Sequence, residues 1–203
     1  MSFTDPIDTT GYDFDRWIQF AFDHPVSEHP WYYTEEMHFV CSPQSVISYY
    51  TRLFLNPRPS LSQYDDARIE QGLWFVVGSQ LSEWLWQSEL DLRLRLDCVD
   101  AMPTMFRDFL LDHPLDTACF MWWDMLRTFR DSPDPSIVAG MIRALDEVLR
   151  LPVRHCQMSA LHGLGHLKHE SKETIIRRFL SVNRDVDEEV RHYAENAIVE
   201  RLL

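Results

Sequence analysis

The sequence Val153-Arg154-His155, with Ala160-Leu161 after it, returns 37 residues later as Val190-Arg191-His192 with Ala197-Ile198 after it. Five positions keep this offset without an insertion or a deletion. A period of this length is typical of stacked helical hairpins, in which neighbouring hairpins cover the apolar face that one hairpin cannot bury. The repeat therefore predicts an all-α protein built from packed helical hairpins.

The composition predicts a single helical-repeat domain over residues 1–203. The chain is 45% hydrophobic and contains seven Trp, so it has enough apolar surface to bury a core. Its length would accommodate about four to five hairpins of the observed period. The chain has only six Gly, and its eleven Pro mostly lie between apolar-periodic segments, which favours helices over a turn-rich β-sandwich. No linker rich in Gly or Ser divides the sequence, and we predict a loose N-terminal arm over residues 1–12.

Apolar residues spaced three and four positions apart predict the individual helices. The predicted segments are a short aromatic helix before Pro25, then 43–55, 60 or 62 to 77, 84–99, 102–113, 116–130, 135–151, the repeat copy after Pro152, 171–182 and 186–203. Within 84–99, Leu residues alternate with charges, as in a half-buried strand. Because the neighbouring segments leave such a strand nothing to pair with, we predict a helix there.

The formal net charge of −13 restricts the classes of partner. An acidic surface repels phosphate backbones and anionic headgroups, so it disfavours nucleic acid and membrane as partners. The largest basic cluster, Arg177-Arg178, is too small to reverse this conclusion. The charge favours a basic protein partner, although solubility alone would also explain it.

The cysteines and the N-terminus indicate a cytoplasmic, soluble protein. Four Cys are widely scattered and form no CxxC pair, which excludes a zinc knuckle and a thioredoxin-type motif: Cys41, Cys98, Cys119 and Cys156. We predict that these thiols are buried and reduced. The first residues lack the basic and apolar regions of a signal peptide, and no apolar run is long enough to span a membrane.

The residues around the repeat resemble a known family. Val153-Arg154 with Ala160-Leu161 and Leu164-Gly165, followed by Val190-Arg191 with Ala194 and Ala197, is similar to the HEAT-like repeat pattern over residues 152–203. The resemblance implies a short right-handed α-solenoid of helical hairpins, with the aromatic residues near the N-terminus as a cap. It also implies an interaction scaffold, although a fold alone does not establish a function.

Four histidines mark the first copy of the repeat: His155, His162, His166 and His169. At about 100° per residue, His162 and His166 lie about 20° to either side of His155 on a helical wheel, and His169 lies about 40° from His155. The apolar residues of the segment lie on the opposite side, so we predict an exposed histidine stripe. Because His162 and His166 are one turn apart, they are candidate ligands of one metal ion. His192 repeats His155 in the next copy.

The histidines leave two functions open. One HEAT-like family, the deoxyhypusine hydroxylases, holds two irons with His-Glu pairs in a Val-Arg-His-Glu context, but Cys156 and Tyr193 occupy the Glu positions here. We therefore expect no metal and no cofactor, and predict a non-enzymatic protein-binding scaffold or adaptor, with an immunity-type partner of a basic protein as a narrower version. Its predicted contact residues are His155, His162, His166 and His192. The alternative is a metal-dependent enzyme that uses the same four histidines.

Two further features of the sequence need an explanation. Gly163 and Gly165 lie inside a predicted helix, where each costs roughly 1 kcal/mol relative to Ala. Close packing by a neighbouring helix or ring would compensate for this cost, and so would a ligand near the backbone. Asp124, beside Trp123, is a candidate buried carboxylate that could equally be a paired structural residue.

Overall fold

The structure is a computed structural model that describes residues 11–34, 41–115, 117–126 and 134–199. These residues form helices and connecting turns and contain no strand, which confirms the all-α prediction. The helices are α1 (Gly11–Phe22), α2 (Trp31–Thr34), α3 (Pro43–Leu55), α4 (Pro57–Leu61), α5 (Asp66–Phe75), α6 (Ser82–Trp84), α7 (Leu92–Met105), α8 (Trp122–Met125), α9 (Pro135–Leu149), α10 (Arg154–His166), α11 (Ser171–Val182) and α12 (Glu188–Ile198). The predicted N-terminal arm lies almost entirely outside the described residues. Within them, no helix combines the length and the apolar character that crossing a bilayer requires.

Short polar side chains determine where several helices begin. At each start, a Ser or Asp oxygen accepts a hydrogen bond from a backbone N–H of the first turn, which would otherwise lack a partner. Ser42 caps α3 as the Ser42-Pro43 pair predicts, and carboxylates cap four other helices: Asp65, Asp91, Asp134 and Asp187. At α11 the sequence suggests Ser171 as a cap, but the structure does not show one there. Ser171 is the first helical residue, and its N–H donates to Nδ1 of His169.

The prediction of one helix over residues 84–99 is wrong in its first half. Trp84 ends α6, residues 85–90 form turns, and α7 begins at Leu92 after its Asp91 cap. The predicted start at Met102-Pro103 is also wrong, because α7 continues through Pro103 and is followed by a wider π-helical segment, Phe106–Leu110. A proline inside a helix removes one backbone hydrogen bond. Here α7 packs against both α3 and α9, and we attribute the continuation to the burial of its apolar residues.

Two other predicted segments also differ from the structure. The predicted helix start at residue 60 or 62 is wrong, because the short helix α4 begins at Pro57 and the next helix, α5, begins at Asp66. In the predicted helix 116–130, residues 117–121 form turns and only Trp122–Met125 is helical among the described residues. The second difference shortens a predicted helix, whereas α5 continues through the π-helical segment Val76–Leu81 into α6.

The packed helices follow one another in a row. Helix α3 packs on α7, α7 on α9, α9 on α10, and α10 on α12, while α1 packs on α5 and α8 on α10. Aromatic rings fill the space between them: the Trp122 ring centroid lies 5.3 Å from that of Phe54 and 5.3 Å from that of Phe106. The right-handed solenoid and the aromatic N-terminal cap stay predictions.

Gly163 lies where α10 packs tightly against Trp123, the residue before Asp124. A Cβ atom at Gly163 would lie 2.5 Å from Cγ of Trp123 and 2.8 Å from Cδ2 of Leu145. Close packing by the Trp123 ring therefore explains this glycine, which is one of the two explanations that the sequence left open. The absence of a side chain lets α10 lie directly against α8.

The four cysteines, all within the described residues, are free thiols. Three of them are buried: Cys98, Cys119 and Cys156. Burial raises the pKa of Cys98 to about 12, and a hydrogen bond with the Cys156 thiol, together with burial, raises the pKa of Cys119. Cys41 is partly exposed, which makes the prediction of four buried thiols wrong at this position.

We therefore expect native protein at pH 8 to react rapidly with a chromogenic disulfide reagent at one thiol per chain, Cys41. A thiol whose pKa is raised by burial is both protonated and inaccessible, so the remaining thiols should react only as the protein unfolds. In denaturant all four should react. Replacing Cys41 with Ser should abolish the rapid phase, and persistence of that phase would contradict the burial of the other three.

Candidate functional site

Three side chains from two helices converge beside Gly163. Asp124 lies on α8, and His162 and His166 lie on α10. Oδ2 of Asp124 is 3.0 Å from Nε2 of His162 and 3.8 Å from Nε2 of His166. One oxygen or nitrogen atom from each residue lies within 4.8 Å of the others. Among the described residues, this is the group of His, Cys, Asp and Glu side chains with the spacing of metal ligands.

The helical spacing and the glycine explain why these residues meet. His162 and His166 are one turn apart, so their rings lie next to each other, with centroids 4.6 Å apart and nearly perpendicular planes. Gly163 lies between them and allows α10 to contact Trp123, the neighbour of Asp124. The same contact between helices that explains the glycine therefore brings the carboxylate to the two imidazoles.

The environment holds the His162 ring in one orientation. Its side chain is only 3% exposed, the Phe120 ring packs against it at 4.3 Å between centroids, and Nδ1 lies 2.6 Å from the hydroxyl oxygen of Tyr193 on α12. A hydrogen-bond partner on the far nitrogen of an imidazole fixes its tautomer and orientation, as it does in many metal sites. Tyr193 thus acts on His162 from outside the group of three.

The Tyr193 hydroxyl suits either tautomer of His162. Burial and, to a smaller extent, the negative charge of Asp124 raise the pKa of Tyr193 to about 12, so the phenol keeps its proton at neutral pH. A phenol both donates and accepts. It can donate to Nδ1 while Nε2–H donates to Asp124, or accept from Nδ1–H while the Nε2 lone pair faces a cation. The same pair of partners therefore accommodates a direct His–Asp hydrogen bond and a metal-ligating histidine.

Asp124 has an oxygen that its neighbours do not satisfy. Oδ2 faces both imidazoles, whereas Oδ1 is buried and has no hydrogen-bond partner among the described residues. A buried polar atom without a partner costs free energy unless a ligand, an ion or water satisfies it. The side chain of His166 is 33% exposed and that of Asp124 is 18% exposed, so the group has one side open to solvent.

The donor set and its spacing fit a divalent transition metal. A tetrahedral metal with bonds of about 2.1 Å holds its ligand atoms roughly 3.4 Å apart. The two separations from Asp124, 3.0 and 3.8 Å, lie on either side of this value, and all three ligand atoms lie within 4.8 Å of one another. Two imidazoles and one carboxylate suit Zn²⁺, Fe²⁺ and Co²⁺ better than Ca²⁺ or Mg²⁺, which prefer oxygen ligands.

The other predicted site histidines lie outside this group. Nε2 of His155 is 2.7 Å from the carbonyl oxygen of Leu110, to which it donates, and His192 is exposed with its Nε2 3.2 Å from the Asn196 amide nitrogen. The alternative ligand set of four histidines is thus reduced to His162 and His166. The prediction of an exposed stripe is wrong at His162, because α8 and α12 cover the side of α10 that the helical wheel left bare.

The sequence interpretation missed Asp124 and Tyr193 as members of the site. A signal for Asp124 was present: Cys119 and Cys156, 37 residues apart, are in thiol contact, so the repeat offset also describes spatial neighbours. Asp124 precedes His162 by 38 residues, nearly the same offset. No such offset marks Tyr193, because its contact with His162 depends on how α12 packs against α10.

Comparison with known proteins adds no relative from which a function could be transferred. No family model matches the chain. Comparison with curated proteins gives no match, and comparison with solved structures gives none either. The HEAT-like resemblance of residues 152–203 therefore stays a prediction, and the geometry of the site has to carry the functional interpretation.

Proposed function

We propose that this chain binds one divalent transition metal ion through Asp124, His162 and His166. The observation that carries the proposal is the convergence of these three side chains, whose ligand atoms lie within 4.8 Å of one another on two packed helices. Three protein ligands with one solvent-facing side match the arrangement of metal sites that keep a position for water or substrate.

The surroundings support the same function. The Tyr193 hydroxyl oxygen would accept a hydrogen bond from Nδ1–H of the ligating His162 tautomer, and the Phe120 ring excludes water from one side of that imidazole. The bound cation would also neutralise the charge of Asp124, whose Oδ1 has no hydrogen-bond partner among the residues that the structure describes. The contacts with Tyr193 and Phe120 lower the cost of holding His162 in place.

Calorimetric titration of untagged protein with Zn²⁺ tests this proposal, with Co²⁺ absorption as a second readout. We expect about one ion per chain and a Co²⁺ spectrum of low coordination number. His166→Ala should weaken binding by more than the ~10–100-fold that loss of an outer hydrogen-bond partner costs. His166 is the preferred position because it is partly exposed, and its loss should leave the core intact.

The matched control is His192→Ala, an exposed histidine on α12 outside the group. It should bind Zn²⁺ like the unmodified chain, whereas Tyr193→Phe should bind it ~10-fold or more weakly because only the outer contact is lost. Absence of saturable binding to the unmodified chain would refute the proposal. Equal losses in His166→Ala and His192→Ala would also refute it, because binding would then depend on surface histidines in general.

The role as an acidic scaffold for a basic protein stays a prediction. Its support is the formal net charge of −13, which would attract a basic partner over long range. The contacts from α3 through α7, α9 and α10 to α12 are of the kind that a short solenoid would make, and the right-handed form that we propose rests on the HEAT-like resemblance. A metal site would be compatible with such a scaffold, because only one side of the group faces solvent.

A further inference from the structure

A pocket of about 590 Å³ lies between the α1–α2 connection, α5 and the segment before α8. Its apolar part is formed by aliphatic side chains and two aromatic ones, Tyr32 and Trp74. This volume is within the range of small-molecule sites, which are mostly apolar with a few placed polar groups. The pocket shares no residue with the metal-ligand group, so it is a separate feature of the molecule.

The charges that line this pocket have one sign. Asp66 and Glu70 contribute carboxylates, and none of the lining residues that the structure describes is Lys or Arg. Glu70 accepts hydrogen bonds from Nε1 of Trp74 at 3.0 Å and from the backbone N–H groups of Thr117 and Ala118. These donors are an indole N–H and two backbone N–H groups, which hold the carboxylate in place. Asp66 also lines the pocket; its side chain is 61% exposed, and its Oδ1 lies 2.8 Å from Nδ1 of His113.

Gln71 adds an acceptor to the same pocket. Gln71 is only 7% exposed, and its Nε2 donates a hydrogen bond to the Pro25 carbonyl oxygen at 3.3 Å. Oε1 has no hydrogen-bond partner among the described residues. Because an unsatisfied buried acceptor is costly, it indicates that a hydrogen-bond donor completes the site.

We propose that this pocket binds a small organic cation, in which an amidinium, guanidinium or ammonium group is attached to an apolar body. The carboxylates would pair with the charge, the Gln71 carbonyl would accept one of its N–H groups, and the Trp74 and Tyr32 rings would contact the body. An anion would meet two like charges, and a purely apolar ligand would leave the acceptor unsatisfied. The net charge of −13 would further raise the local concentration of a cation.

Benzamidinium and benzamide are suitable probes, because they have nearly the same shape and differ in charge. We expect saturable binding of benzamidinium in a chemical-shift titration or by calorimetry, with benzamide bound at least tenfold more weakly. The binding should weaken as salt is added, since part of the attraction is between charges that water and ions screen.

Variants locate the binding in the pocket. Asp66→Asn should weaken benzamidinium binding by roughly tenfold, because it removes one carboxylate from the lining while keeping the size of the side chain. Asp65→Asn is the matched control: it makes the same change in net charge one residue away, outside the lining, and Asn also caps α5. Its effect should be under twofold. Gln71→Met keeps the length of the side chain, removes the acceptor, and should also weaken binding.

Three results would overturn the proposal. Equal affinity for benzamide and benzamidinium would show that the pocket selects an apolar shape and not a charge. Equal effects of Asp65→Asn and Asp66→Asn would show that only the overall field of the protein attracts the probe. Tighter binding of an Arg-containing tripeptide than of any free cation, lost in Asp66→Asn, would identify a basic protein segment as the occupant.

Discussion

Replacing Gly163 with alanine is expected to lower the free energy of unfolding by about 2 kcal/mol. The new Cβ would lie 2.5 Å from Cγ and 2.7 Å from Cβ of Trp123, both of which are near the backbone and cannot swing aside. Overpacking of this kind costs ~1–3 kcal/mol or more, and the better helix propensity of Ala returns only about 1 kcal/mol. Urea unfolding followed by circular dichroism would measure the difference.

The matched control for this change is Gly78→Ala. A Cβ atom at Gly78 would meet Met125 at 3.6 Å, which is an ordinary contact distance, so we expect stability to be unchanged or slightly increased. The two variants remove the same flexible residue type from the unfolded chain, and their difference reports the contact at Trp123. If Gly163→Ala were as stable as Gly78→Ala, α10 would not lie against α8 as described.

The Gly163 variant also tests how the fold builds the site. Any relaxation that accommodates the methyl group must move α10 away from α8, and this movement lengthens the 3.0 Å separation between His162 and Asp124. Zn²⁺ affinity should therefore fall in Gly163→Ala although no ligand has been changed. Retained affinity would mean that the ligands reach one another independently of this helix contact.

The sequence predicted the helices best where short-range signals act alone. The Ser42-Pro43 start of α3 and the extent of α9 and α11 follow from caps and apolar spacing, which depend on residues a few positions apart. Pro103 shows the opposite case. Its local signal is a helix start, but the packing of α7 against two helices carries the helix through it. No pattern within α7 itself contains this information.

The candidate site was predictable only in part for the same reason. The spacing of His162 and His166 identified two ligands, since an interval of four residues is a property of one helix. Asp124 and Tyr193 belong to other helices, and their distances to His162 depend on how closely α8 and α12 approach α10. The helical wheel placed His162 opposite the apolar residues, but it could not show that a second layer of helices covers that side.

Arg95→Met is expected to lower the free energy of unfolding by about 3 kcal/mol. Arg95 is 3% exposed and connects three parts of the chain: it donates to the carbonyl oxygens of Leu85 and Leu90 and pairs with Asp134 at 3.1 Å. Removing one partner of a buried ion pair costs ~3–5 kcal/mol, and the partial exposure of Asp134 places the expected value at the lower end. Methionine keeps the length of the apolar stem, so the change isolates the guanidinium.

Arg93→Met is the matched control, two residues away on the same helix. Arg93 is 82% exposed and pairs with Asp97 at 2.8 Å, and a surface pair of this kind contributes about 0.5 kcal/mol or less. Both changes remove one positive charge, so a general effect of net charge would appear equally in the two variants. A large loss only in Arg95→Met would identify burial as the cause. Near-equal losses would contradict the buried contact, because the turns at 85–90 and the start of α9 would then be held by other interactions.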